Sequence, residues 1–233
     1  MTSIYERGNA AKQWIFEELD RRFGQAPTRV LDLGCGDGSK WPAFLAEHPA
    51  WRVIGIDTDA KAITKGQQHV HPNLTLRVAD AQRSMDERGF DAVVAFSAIE
   101  HVVDRPAFLR VAFEALRSGG VAFLNYDDGH FRSSNIKERL MVPVSQLLAM
   151  VGVEGPYMKH VDDAMFRSQA ETVGFQEIDV QKNNIAALKG LMRGTSDEAI
   201  RAWVDFETRL SKLVTADRLD RVMLSTTLVA QKP

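Results

Sequence analysis

Apolar residues along this chain fall into short unbroken runs, separated by stretches in which they recur every three or four positions. The first kind of pattern predicts buried strands and the second predicts helices with one apolar face. Strands are expected in the runs opening Val30 to Ser39, Val53 to Asp59, Leu74 to Asp80 and Phe90 to His101, and at Val121 to Tyr126, Gly174 to Val180 and Leu224 to Ala230. Helices are expected over Ile4 to Phe23, Ser39 to His48 and Ala60 to His69, the last with Asp59 as its N-cap. Asp104 and Pro106 open a further helix that runs to Leu116 and is closed by Ser118-Gly119-Gly120. Two more are expected at Ile136 to Met150, interrupted by Pro143, and at Asp162 to Val173. Strand and helix in alternation imply a parallel sheet with helices on both faces.

In such a sheet, ligands bind beyond the carboxyl ends of the strands, where the strand order reverses. The first run passes through Asp32 into Gly34, Gly36 and Gly38, and glycine lets the backbone take positive φ and lie against a ligand. The spacing is G-x-G-x-G, not the G-x-G-x-x-G of dinucleotide binding, so the loop alone is a moderate signal. Its context strengthens it. The second run ends in Asp57, the third in Asp80, and the fourth in the polar segment Ser97 to His101, so four consecutive strands deliver polar groups to one sheet edge.

From Val30 to Tyr126, the order of Asp32 with the glycine loop, Asp57, Asp80 and Ser97 to His101 resembles class I S-adenosylmethionine-dependent methyltransferases, especially the small-molecule branch. The resemblance implies a Rossmann-like seven-stranded α/β sheet, mostly parallel with an antiparallel last strand. It implies S-adenosylmethionine as cofactor, with Gly34, Cys35 and Gly36 against the methionine part and Asp32 ordering the loop or bonding the amino group. Asp57 would hold the ribose, Asp80 would receive the adenine amine and the backbone of Ala81 would meet the ring edge, with Thr58 and Ser97 also among the cofactor-binding residues.

The chain has 233 residues, 45% of them hydrophobic, and a net charge of −2. One domain over 1–233 with one substantial core is the expectation, and the interspersed charges favour neither a nucleic-acid backbone nor a membrane surface as partner. A small molecule fits better. Met1 to Asn9 lacks the apolar core of a signal peptide and no run is long enough to span a bilayer, so the expected location is the cytoplasm. The lone Cys35 excludes both an internal disulfide and a three-cysteine iron–sulfur cradle, and reads as a small buried filler. No metal site is expected: His69 and His71 lack a third ligand.

The stretches 127–159 and 181–221 are expected to be helical inserts that form a lid over the acceptor, with added core or a homodimer face as their alternatives. In the second, Ala199, Trp203, Phe206, Leu210 and Leu213 recur at helical spacing. His101 and His130 follow the fourth and fifth strands and are the candidate general bases, while Tyr126, His160 and Trp203 are candidates for the acceptor pocket. The expected reaction is methyl transfer to a small molecule, oxygen slightly ahead of nitrogen or carbon. A cofactor-binding protein without methyl transfer, such as a cyclase or pseudoenzyme, and a nicotinamide-dependent oxidoreductase are the alternatives.

Overall fold

The computed structural model describes residues 9–68, 71–129, 131, 136–150, 157–192 and 194–233. Its strands are β1 (Arg29–Leu33), β2 (Arg52–Asp57), β3 (Leu74–Val78), β4 (Phe90–Ala95), β5 (Leu116–Asp127), β6 (Gln176–Ile185) and β7 (Met223–Gln231). They form one sheet in the order β3-β2-β1-β4-β5-β7-β6, with β7 antiparallel to both its neighbours. The seven-stranded, mostly parallel sheet with an antiparallel last strand is therefore as expected. The order reverses between β1 and β4, which sets the ligand cleft at their carboxyl ends.

The helices are α1 (Ala10–Phe23), α2 (Trp41–Glu47), α3 (Ala60–Gln67), α4 (Arg105–Ala115), α5 (Ile136–Met150), α6 (Asp163–Val173), α7 (Ala186–Leu191), α8 (Asp197–Leu213) and α9 (Ala216–Leu219). Asn9, Asp59, Asp104, Asp162 and Ser196 cap α1, α3, α4, α6 and α8 with their side chains, which fixes where each helix starts. One face of the sheet buries Trp14, Phe16, Trp41, Phe96, Phe123 and Trp203 under α1, α2 and α8. The other buries Leu31, Val93, Phe108, Leu124, Tyr126 and Phe166 under α4 and α6. Each such side chain stabilises the fold by about 1.5–3 kcal/mol through burial.

Three boundaries depart from the sequence pattern. Ser118-Gly119-Gly120 does not simply close a helix: β5 already begins at Leu116, and its register on β4 shifts between Phe90 and Ala92 to accommodate the extra residues. Gly119 takes φ +74° and its N–H donates to the Lys232 carbonyl at 2.8 Å, which ties this irregular start to the chain's last residues. Second, β6 does not stop at Val180 but runs on through the polar sequence Gln181 to Asn184, which is buried and paired with β7. Third, the buried face of α8 differs from the expected stripe. It packs on β6 and α1 with Ile200, Trp203 and Val204 in the main core, while Phe206 and Leu213 of the expected apolar stripe are exposed.

Candidate functional site

The cleft at the carboxyl edge has a volume of about 190 Å³ and is lined by Gly34, Asp57, Thr58, Asp80, Ala81, Ser97 and His101, together with Ala79, Gln82, Ala98, Val102 and Phe108. Residues from four strand ends thus meet in one place, as their order along the chain predicts. The cradle is built by backbone conformation. Gly34 stands at φ +76°, and a Cβ there would come within 2.8 Å of the Ala98 Cβ, so the close approach of the β1 and β4 loops requires glycine. Gly36 stands at φ +59°, yet a Cβ there would meet nothing within 4 Å. The protein itself leaves open space above Gly36, as a loop lying against a ligand would.

Asp57 pins this loop. Its Oδ2 accepts the Gly36 N–H at 2.8 Å and its Oδ1 accepts the Asp59 N–H at 2.9 Å. A carboxylate oxygen can accept more than one hydrogen bond, so Asp57 keeps capacity for ligand hydroxyls. Asp59 is the helix cap, accepting from Lys61 and Ala62. Asp80 Oδ1 accepts the Gln82 N–H at 2.8 Å and its Oδ2 faces Arg83 at 3.4 Å. Ser97 holds φ +50°, rare for a side-chain-bearing residue, and its N–H donates to Asn125 Oδ1 at 3.1 Å. Asn125 is fully buried and donates onward to Ser225, Thr226 and Thr227, so β7 holds the β4 loop in shape through one amide.

Asp32 is buried at 0% exposure and orders the loop visibly: its Oδ2 accepts from Lys40 Nζ at 2.9 Å and Trp41 Nε1 at 2.7 Å. Its Oδ1 has no partner among the described residues. Cys35 is 2% exposed, and burial, with the Asp32 carboxylate adding to it, pushes its thiol far above the usual range. That makes it an inert filler. The orphaned Asp32 oxygen, the open space over Gly36 and the carboxylates at the tips of β2 and β3 fit the amino group, main-chain contact, ribose and adenine of S-adenosylmethionine.

His101 lines the cleft from a 3-10 turn, Ile99–His101, that follows β4. Its Nδ1 lies 3.0 Å from the Tyr157 carbonyl, which can only accept, so Nδ1 carries the proton and Nε2 the lone pair in the neutral ring. The segment after α5 is stitched to the same turn: Lys159 N–H donates to the Glu100 carbonyl, and Arg105 donates to the carbonyls of Lys159 and His160. His130 lies outside the described residues.

The acceptor candidates fare differently. Tyr126 is 1% exposed, and its hydroxyl donates to Asp163 Oδ1 at 2.7 Å on the α6 side of the sheet, so it is core and not cleft wall. Trp203 is 3% exposed beneath α1, with its indole N–H donating to Glu207 Oε1 at 2.6 Å, again away from the cleft. Both placements have one cause: an aromatic at a strand end or on an amphipathic helix reads the same whether it packs inward or faces a ligand. His160 is largely exposed, and its Nε2 stands 3.3 Å from Asp128 Oδ2, with its ring against Phe131. It lies beyond the tip of β5 and outside the lined cleft.

Glu100, within the segment Ser97 to His101, carries no local signal of its own. It is 1% exposed, accepts the Asp127 N–H on Oε1, and has an Oε2 without a partner among the described residues. Burial, reinforced by the carboxylates of Asp127 and Asp128, pushes its carboxyl up to about 8. The folded state therefore holds this proton where the unfolded chain has lost it, so stability falls as pH rises from the ordinary glutamate range through about 8. Glu100→Gln should remove that loss and leave the variant more stable than the parent at pH about 9, by on the order of a few kcal/mol. Denaturant midpoints of both proteins across that range check it; parallel curves would show that Glu100 does not carry the proton.

Residues 30–120 match the model of a methyltransferase domain. A trans-aconitate 2-methyltransferase of Methylobacterium radiotolerans is 29% identical over 60% of this chain and 49% of its own length. A ubiquinone biosynthesis O-methyltransferase of Methylobacterium nodulans is 31% identical over 47% of this chain and 48% of its own. The chain thus spans about half the length of these relatives. Among solved structures, an S-adenosylmethionine-dependent methyltransferase from Mesorhizobium loti superposes with TM-score 0.62 at 19% identity, covering 95% of this chain and 98% of its own. A Haemonchus contortus phosphoethanolamine N-methyltransferase 2 in complex with S-adenosyl-L-methionine superposes with TM-score 0.59 at 19% identity, over 94% of this chain and 52% of its own.

Proposed function

We propose that the chain, whose residues 30–120 match a methyltransferase domain, is a class I S-adenosylmethionine-dependent methyltransferase that transfers a methyl group to a small-molecule acceptor, with oxygen slightly favoured as the accepting atom. The observation that carries this reading is the convergence of Gly34, Asp57, Asp80, Ser97 and His101 in one cleft where the strand order reverses. Asp57 takes the ribose hydroxyls, Asp80 and the Ala81 backbone take the adenine, and Gly34 and Gly36 admit the methionine part. When bound, the cofactor supplies an electrophilic methyl group on a sulfonium.

The transfer is a one-step displacement, so the protein's main task is alignment of the acceptor with the methyl carbon. An acceptor hydroxyl must also give up its proton as its oxygen attacks. His101 is the residue proposed to take it, through Nε2, with the Tyr157 carbonyl fixing the ring's tautomer. The insert 127–159 is proposed as the acceptor cover, since its end at Tyr157 to Lys159 is bonded to the turn that carries His101. The region 181–221 contributes mainly core, through α8.

Two measurements test the reading. Asp57→Ala should weaken binding of S-adenosylhomocysteine by about 1.5–3 kcal/mol, the cost of losing charged hydrogen bonds. Unchanged affinity by calorimetry would remove the ribose assignment. Parent protein supplied with methyl-labelled cofactor and panels of phenols, catechols, amines and carboxylic acids should label a hydroxyl-bearing class. Labelling of amines alone would overturn the preference for oxygen, and tight cofactor binding with no labelling of any panel would favour a protein that holds the cofactor without transfer.

A further inference from the structure

We propose that Arg105 is a positioning residue for the reaction: its guanidinium clamps the segment 157–160 onto the turn Ile99–His101, and so fixes the carbonyl that sets the tautomer of His101. This rests on the reading of His101 as the base, and names the group that holds that ring ready.

Arg105 is the first residue of α4, directly after the Asp104 cap. Its side chain reaches back over the preceding turn, where Nε donates to the Ile99 carbonyl at 3.3 Å, Nη1 to the His160 carbonyl at 3.1 Å and Nη2 to the Lys159 carbonyl at 2.5 Å. One planar group thus spans two consecutive carbonyls of the segment and one of the turn. Two further bonds join the same pieces: Lys159 N–H donates to the Glu100 carbonyl at 2.9 Å, and His101 Nδ1 donates to the Tyr157 carbonyl at 3.0 Å. The segment is also tied to α5, since Met158 donates its N–H to Ser145 Oγ and accepts from Gln146 Nε2 at its carbonyl, both at 3.1 Å. It is therefore a strap between the proposed acceptor cover and the turn that carries His101.

Two features separate Arg105 from an ordinary surface cation. It is half-buried and its three hydrogen bonds all go to main-chain carbonyls, so among the described residues it is these, and not a carboxylate, that offset its lost hydration. It also stands in the first turn of a helix, where the macrodipole disfavours positive charge. Both effects oppose an arginine here, and the clamp is what it supplies in return. A rigid guanidinium fork holds two neighbouring carbonyls in one fixed geometry, which an ammonium on a flexible stem does not. A histidine ring that loses its carbonyl partner carries its proton on either nitrogen, and only the form protonated at Nδ1 presents a basic Nε2.

The test reads the ring itself by imidazole nitrogen NMR, with the His101 signals assigned by their loss in His101→Ala. The neutral ring of the parent should show Nδ1 protonated and Nε2 bare. Arg105→Met should mix the two tautomers and lower kcat for a hydroxyl acceptor by about tenfold to a hundredfold, the scale of effect of a small misplacement. Its affinity for S-adenosylhomocysteine should stay near the parent value. Added to His101→Ala, the same change should cost little further turnover, because it acts through the ring. Arg105→Lys keeps the charge without the fork, stands in where the Met variant does not fold, and should lie between parent and Met in both readouts. A parent-like tautomer in both Arg105 variants, or an equal loss of turnover with and without His101, overturns the proposal. If His101→Ala alone keeps parent turnover, the base reading fails, and the spectra still decide whether Arg105 fixes the ring.

Discussion

Trp203→Ala should destabilise the fold by about 3–5 kcal/mol, the range for truncating a large buried aromatic side chain. The indole fills the main core between α8, α1 and the sheet. Its N–H also meets Glu207 Oε1, whose carboxylate in turn accepts the N–H groups of Asn184 and Ile185 at 2.7 Å each. Glu207 is fully buried, and burial raises its carboxyl. Removing the indole thus opens a cavity and deprives a buried carboxylate of a donor. Denaturant unfolding of the two proteins checks this. A loss under about 1 kcal/mol would mean that α8 is a peripheral cover after all, since exposed positions seldom cost more.

His101→Ala should lower turnover by about a hundredfold or more with a hydroxyl acceptor, the usual contribution of a positioned general base. Cofactor affinity should stay near the parent value, because the ring acts on the acceptor. The parent's rate should fall on the acid side, as Nε2 takes up a proton and can no longer accept one. Steady-state kinetics across pH with a matched binding titration separate these effects. A variant that keeps most of its activity over the whole range would show that alignment alone suffices, with an acceptor that is already nucleophilic.

The parts of the fold and site that were legible in the sequence are those fixed by local chemistry. An apolar run that ends in an acid or a glycine announces a strand end, and the four such ends at Gly34, Asp57, Asp80 and Ser97 do share one cleft. Asp59 was legible as a cap and Asp104 as a helix start for the same reason: the capping bond spans only a few residues. What escaped notice depends on partners far along the chain. Gln181 to Asn184 looks like a polar connection because nothing local shows that β7 pairs with it or that Glu207 waits to bond it. Trp203 looks alike as lid or core because helical spacing gives a face but not what the face meets.

The central claim is that the cleft between β1, β2, β3 and β4 is built for S-adenosylmethionine and not for a nicotinamide dinucleotide. A calorimetric titration of the parent protein with S-adenosylhomocysteine and, separately, with NAD tests it most directly. Saturable one-to-one binding of S-adenosylhomocysteine, weakened in Asp57→Ala, with no heat from NAD is the result predicted by the glycine spacing and by Asp57 and Asp80 at the strand ends. Binding of NAD with none of S-adenosylhomocysteine would contradict it.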